Sequence, residues 1–448
     1  MKIIPLRAVA FLTACLAGLL TGSIALAAPS FTFGPIVGRG ETPDKMIVKW
    51  GTSASGATTL YYRKKGETTW LTASGATGAD HEVTLTALAA STSYEYAFDN
   101  TGAAFATTAT CPAPGSPMDV VFYGDSRPPF LGTSQHPAVI AAVTTAVPDL
   151  VINSGDLSLA GTAAEMLGNI LPQIAPIAKS TPYMSAPGNH ETTLGYAGNF
   201  DRFFPTPRGD GEAWRAYYAF SCGNATFLVL DSNHLGDATQ KTFITTKLAA
   251  AAADTNIDHV FVNFHHAPYS VGTHGDDTGV QSGWVPLFDG NAKVRLVFSG
   301  HDHLYGRFNN GSQVAYVVSG GAGADLYADT GTSSAMKVTS KSAYNYVLVH
   351  IAGKSVSLKA VDVGGTTLDT LDVGPPPAPD LGGADMASSS GDDAGPSGSG
   401  GDAGLAPGAG RTPMGGCAYA GPPQGAPAGA LVAVALLAFG LSRRRRVV

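Results

Sequence analysis

The sequence predicts an α/β domain preceded by a small all-β sandwich, and two observations carry that prediction. Past Met118, apolar strand-like runs alternate with helix-like stretches, the pattern of a sheet covered by helices. Before Cys111 the runs are short, alternate apolar with polar residues and are separated by turn residues about every ten positions, with no helical period. The strands of the first part fall at 45–50, 59–63, 81–85 and 93–98, within a unit spanning 31–110. Residues 110–117 contain Pro112, Pro114 and Pro117 and predict a stiff connector. In the second part, 118–373, strands are predicted at 120–123, 150–152, 226–230, 260–264 and 294–298. Helices are predicted at 137–146, 162–177, 240–252 and 280–288, and 314–373 returns to strands. Such alternation gathers ligands at the C-terminal ends of the strands.

The two ends read as addresses rather than fold. Lys2 and Arg7, the apolar run 8–26 and Ala25-Leu26-Ala27 make residues 1–27 a signal peptide, so the mature protein is expected to be exported. Leu12-Thr13-Ala14-Cys15 offers a rival lipoprotein cleavage box, disfavoured because the apolar run continues well past Cys15. Residues 374–416 contain no Val, Ile, Phe, Tyr or Trp and predict a flexible, weakly acidic linker. In 417–448, Cys417, an apolar stretch at 426–441 and Arg443-Arg444-Arg445-Arg446 follow. The apolar stretch is shorter than the roughly 20 residues that span a bilayer comfortably. This arrangement resembles the C-terminal sorting tails of myxobacteria, which implies delivery to the cell surface or secretion after tail processing; a plain membrane anchor is the alternative.

With 448 residues, 44% hydrophobic and 14% charged, the chain can bury sizeable cores, which excludes wholesale disorder. A net charge of -7 gives no general field for gripping a polyanion, which disfavours nucleic-acid binding by charge alone. Of four cysteines, Cys15 leaves with the signal peptide and Cys417 belongs to the tail. Cys111 and Cys222 remain, either as a disulfide or as two buried thiols.

Five polar clusters each follow an apolar segment: Gly124-Asp125-Ser126-Arg127, Gly155-Asp156-Leu157, Gly188-Asn189-His190-Glu191, His265-His266 and Gly300-His301-Asp302-His303. Asp125, Asp156 and Asn189 lie 31 and 33 residues apart, close to one strand-helix-strand repeat each, so they are expected to meet at one sheet edge. Carboxylate, amide oxygen and imidazole together suit a divalent metal, and their number exceeds what one ion needs. Two ions bridged by one carboxylate are the economical arrangement. His234 and His259 lie outside the clusters and read as solvated, His136 as a helix start, and Tyr217, Tyr218 and Trp284 as core.

In this order, GD, GDL, GNHE, an apolar strand ending in His, and GHDH resemble the calcineurin-like metallophosphoesterase superfamily. The all-β part ahead of them, similar to a fibronectin type III module, narrows the resemblance to the purple acid phosphatase group. The resemblance implies a four-layer α/β (α+β) sandwich holding two metal ions, of iron, manganese or zinc. Asp156 would bridge them, Asp125 and His303 would complete the first site, and Asn189, His265 and His301 the second. His265 is preferred to His266 because Val262-Asn263-Phe264-His265 and the following Pro268-Tyr269-Ser270 fit the family's spacing. His190 and His274 would act on the substrate as proton donor and phosphate contact. Leu159 stands where the group has an iron-binding tyrosine, and Arg127 where other members have a histidine ligand, so the first site keeps three protein ligands. Arg127 is then either a phosphate clamp or an ion-pair partner of a ligand aspartate. The implied activity is hydrolysis of small phosphate monoesters by a hydroxide generated at the metals, with the leaving group protonated by histidine. A phosphodiesterase or nucleotidase on the same site, and a non-catalytic surface-binding protein, are the alternatives.

Overall fold

The computed structural model describes residues 30–192, 197–208 and 216–374; the expected signal peptide, the linker beyond Gly374 and the C-terminal tail lie outside the described residues. Five strands make the N-terminal part: β1 (Phe31–Arg39), β2 (Met46–Lys64), β3 (Leu71–Leu85), β4 (Ser93–Ala97) and β5 (Ala106–Ala109). They hydrogen-bond in the order β1-β2-β4-β5, with β3 also paired to β2. The all-β expectation is met, but its short strands are not separate. The predicted runs at 45–50 and 59–63 belong to one long strand, β2, whose pairing with β3 shifts register between Gly51 and Thr58. That irregularity lets one strand bend around a small core of Val48, Trp50, Leu60, Val83 and Tyr96.

From Met118 onward the chain builds two sheets. The first contains β6 (Met118–Tyr123), β7 (Leu150–Asn153) and β8 (Tyr183–Ser185). The second opens with β9 (Tyr218–Cys222), β10 (Ala225–Val229), β11 (His259–Asn263), β12 (Val294–Ser299), β13 (Tyr305–Asn309), β14 (Ala315–Ser319) and β15 (Met336–Lys341). The chain then returns to the first sheet with β16 (Asn345–Ala352), β17 (Ser355–Asp362) and β18 (Thr367–Asp372). The orders are β18-β17-β16-β6-β7-β8 and β15-β13-β14-β12-β11-β10-β9. Side chains alternate faces along each strand. Val120 and Phe122 therefore point to the second sheet, where Phe122 stacks on Phe298 at 3.7 Å between ring centres. Val121 and Tyr123 point outward against the helices His136–Thr145 and Leu171–Ala178. On the far side Leu228, Val260 and Val262 pack on the helix Ala238–Ala253 and on Trp284. The result is helix, sheet, sheet, helix, and strands buried on both faces explain the unbroken apolar runs of the sequence.

Two expectations need correction. The predicted helix 280–288 is two short ones, Thr278–Gly283 and Val285–Asp289, broken at Trp284 ahead of Pro286. His259 is not solvated: it is 1% exposed, and its Nε2 donates to the Gly353 carbonyl at 2.8 Å. It begins β11, and its polarity hid a position whose ring is satisfied by one backbone oxygen. His136 does start a helix, while Tyr217, Tyr218 and Trp284 are core.

The two parts share packing. Phe33 and Ile36 of β1 join the core beneath the first sheet, and Phe33 meets Phe203 edge-on at 5.0 Å. Arg39 is 1% exposed and donates to the carbonyls of Ala109 and Asp149. Cys111, in the connector, is disulfide-bonded to Cys222 at the end of β9.

Candidate metal centre

Strand ends supply every cluster. Asp125 follows β6, Asp156 follows β7, Asn189 follows β8, His265 follows β11, and His301 and His303 follow β12. All five strands are linked by parallel pairing within their sheets, so their C-terminal ends share one edge. Asp125 (φ 60°), Asp156 (φ 54°) and His301 (φ 69°) adopt the left-handed conformation that non-glycine residues avoid. Three such residues in one place mark a site whose geometry the surrounding fold imposes.

The six predicted ligands meet there. Ligand atoms of Asp125, Asp156 and His303 lie within 4.8 Å of one another, and so do those of Asp156, His265 and His301. Asp156 belongs to both groups. Asn189 Oδ1 lies 3.0 Å from His265 Nε2, which is also 3.3 Å from Asp156 Oδ1 and 3.2 Å from His301 Nδ1. His265 Nδ1 donates to the Ser154 carbonyl at 2.9 Å and His303 Nδ1 to the Asp325 carbonyl at 2.6 Å. Those bonds turn each Nε2 inward, the orientation that a ligating imidazole needs.

Burial sets the electrostatics. It pushes the Asp125 carboxyl well above its usual range. It also raises Asp156, but His265, the hydrogen bond from that ring and His190 reverse this, and Asp156 stays below the usual range. Burial lowers His265, while Asp156 beside it more than compensates, to about 9. His303 is lowered to about 4 by burial, and His301 is lowered by burial and by His265. Clustered buried carboxylates beside the neutral imidazoles of His301 and His303 are a donor set that suits cations. The cradle is tight as well: a Cβ on Gly188 would lie 2.1 Å from Asp156 Oδ1, and one on Gly300 2.3 Å from Asp125 Oδ2. Both glycines are required for the backbone to approach the carboxylates so closely. The residues present fit two metal ions.

The remaining predicted site residues border this centre. Arg127 is 3% exposed, with Nε 3.7 Å from Asp156 Oδ2 and without a hydrogen-bond partner. His190 places Nε2 3.8 Å from Asp156 Oδ2, and its Nδ1 donates to the Leu159 carbonyl. The position that lacks a tyrosine therefore orients His190 through its backbone. His274 is exposed and stacks on His301 at 3.9 Å. His266 bonds Ser232 Oγ at 2.8 Å and belongs to neither ligand group.

Two residues were not singled out by sequence. Glu191 is fully buried and accepts the backbone N–H groups of Asp156, Leu157, Ser158 and Gly188 at 2.9–3.0 Å. It thereby ties the loops carrying Asp156 and Asn189 together. Burial first and Asp156 second push its carboxyl up to about 7, against those amide bonds. Its signal was the last letter of GNHE, a carboxylate inside an otherwise explained motif. Tyr327 stacks on the His303 ring at 4.0 Å from a loop whose glycine-rich sequence carried no motif.

The sequence profile of the calcineurin-like phosphoesterase family matches residues 118–305, which contain all six clustered side chains. The chain has relatives of two kinds. The chain is 26% identical over 262 residues to an uncharacterized protein of Mycobacterium tuberculosis, covering 50% of this chain and 49% of that protein. It is 26% identical over 251 residues to purple acid phosphatase 22 of Arabidopsis thaliana, covering 52% of this chain and 54% of that protein. The chain thus spans about half the length of the curated relatives it matches. The fold is shared with a purple acid phosphatase from yellow lupin (Lupinus luteus) seeds, at TM-score 0.66 and 18% identity over 77% of this chain and 74% of that one. It is also shared with PhoD, at TM-score 0.54 and 11% identity over 77% of this chain and 90% of that one.

Proposed function

We propose that the protein is an exported phosphoesterase that hydrolyses small phosphate monoesters at a centre of two metal ions. One observation carries this: two groups of candidate ligand atoms share the buried Asp156, as a dinuclear centre requires. Asp125, Asp156 and His303 would hold one ion, and Asp156, Asn189, His265 and His301 the other. When bound, such ions lower the pKa of water toward neutrality and neutralise phosphoryl oxygens. Arg127, buried with Nε unpaired beside Asp156, supplies a cationic donor for a phosphoryl oxygen. His190, oriented by the Leu159 carbonyl, holds Nε2 toward the same carboxylate and can deliver a proton to the departing alkoxide. His274, exposed on His301, contacts the phosphate or serves as auxiliary acid.

The strand-rich residues 31–109 support a fibronectin type III-like module ahead of the enzyme. The Cys111–Cys222 disulfide suits an oxidising compartment and supports export, with the C-terminal tail attaching the protein to the envelope. The test loads the protein with iron, manganese or zinc and compares nitrophenyl phosphate, bis-nitrophenyl phosphate and an alkyl phosphate. Monoester turnover above diester turnover is expected, the reverse would make it a diesterase, and two bound ions without turnover would sink the enzymatic assignment. His190→Ala should slow the alkyl ester about 100-fold or more and the nitrophenyl ester far less, because a phenolate leaves without a proton. Equal losses on both would show that His190 is not the acid.

A further inference from the structure

The way out of the centre is marked by side chains of rising exposure. Asp156 is 2% exposed, the Arg127 side chain 4%, the His190 side chain 21% and Phe130 67%. The Phe130 ring lies 5.0 Å from the Arg127 guanidinium carbon and 6.4 Å from the His190 ring. Leu131 beside it is 88% exposed, the highest value among the exposed large hydrophobic side chains of the described residues. Pro128 and Pro129 precede them and fix φ at two successive positions, so the segment presents Phe130 to solvent instead of letting it fold inward. Single exposed apolar residues need no explanation, but Phe130 set against a buried guanidinium and a proton-donor candidate, with Leu131 exposed beside it, forms a feature of the site.

We propose that Phe130, assisted by Leu131, is a specificity-determining residue that receives the organic arm of the ester, so that the preferred substrates carry a flat aromatic or otherwise apolar group next to the phosphate. This rests on the phosphoesterase assignment and names its substrate class. With phosphorus over the carboxylates and a phosphoryl oxygen on Arg127, the leaving group must pass His190 to accept its proton, and the next surface along that path is the Phe130 ring. An aryl group stacks on that ring in an offset or edge-on arrangement, while a hydroxylated arm such as that of glycerol phosphate stays hydrated and gains nothing there. The opposite flank is polar by comparison, with His274 on His301 and Tyr327 on His303.

The experiment uses the full metal-loaded chain and needs no turnover. Benzylphosphonate and methylphosphonate carry the same anion and differ by one phenyl ring, and their affinities are measured by calorimetry on the wild type, Phe130→Ala and Phe130→Trp. Wild type is expected to bind benzylphosphonate about tenfold more tightly than methylphosphonate. Phe130→Ala should abolish that preference while leaving methylphosphonate within about twofold, and Phe130→Trp should retain it. Equal affinities in the wild type, binding of neither phosphonate, or a benzyl preference that survives Phe130→Ala would overturn the proposal. Failure to hydrolyse phenyl phosphate, with the phosphonate preference intact, would instead strike the catalytic assignment and leave Phe130 as the recognition surface.

Discussion

Asp156 turns one oxygen to His265 and the other to Arg127 and His190, and the same carboxylate belongs to both ligand groups. Asp156→Asn is expected to remove both metals together, read by elemental analysis; a variant that keeps two ions with ordinary turnover would refute the bridging role. Glu191 acts one layer out. Its two oxygens accept four amide N–H groups, and an amide in its place would turn N–H donors against N–H donors. Glu191→Gln should therefore weaken metal affinity by about 10–100-fold, measured by competition with a chelator, with Arg127 and His190 unchanged in sequence. Unaltered affinity would show that the loops hold their shape without it. The clustered side chains were legible because glycine followed by a polar residue recurs at strand ends. The backbone conformation that aims them was not, since left-handed Asp125, Asp156 and His301 look like any other residues in a sequence.

At the scale of elements, strands buried on both faces announced themselves as apolar runs, whereas the bend of β2 did not, because Gly51 and Gly56 look like turn residues between two strands. The helix His136–Thr145 carries a consequence that sequence also concealed. His136 is fully buried, with Nδ1 on Gln173 Oε1 at 2.5 Å and Nε2 facing the Tyr123 hydroxyl at 3.2 Å. Burial, only partly opposed by the bond to Gln173, lowers its pKa from 6.5 to about 4. A histidine held neutral in the fold contributes stability that is complete above the unfolded value and is lost as pH falls toward the folded one, here about 3 kcal/mol. The urea midpoint should drop between neutrality and about pH 4, and His136→Gln should drop less over the same interval. Parallel curves for the two proteins would assign the acid sensitivity to other groups.

At the scale of the molecule, the four layers were anticipated from family resemblance, while the joint between N-terminal sheet and catalytic layers could not be read from periodicity. Arg39, Phe33 and Ile36 sit in segments that look like ordinary strand, and their partners Asp149 and Phe203 are more than a hundred residues away. The disulfide crosses the same joint over a separation of 111 residues. Replacing both cysteines by alanine should cost about 2–4 kcal/mol of stability in a chemical unfolding experiment, and an unchanged midpoint would show that packing alone holds the joint.

That covalent link also divides the site in a way that bears on resistance to proteolysis. Asp125, Arg127, Asp156, Asn189 and His190 lie on the stretch of chain that the bridge closes into a ring, whereas His265, His301 and His303 lie beyond it. A protease that cuts the ring once opens it without dividing the molecule, so the two sets of ligands stay on one covalent body and the centre can remain assembled. Nicked enzyme should migrate as a single species without reductant and as two fragments with it, and a cut between Cys222 and His265 should part the two sets under either condition.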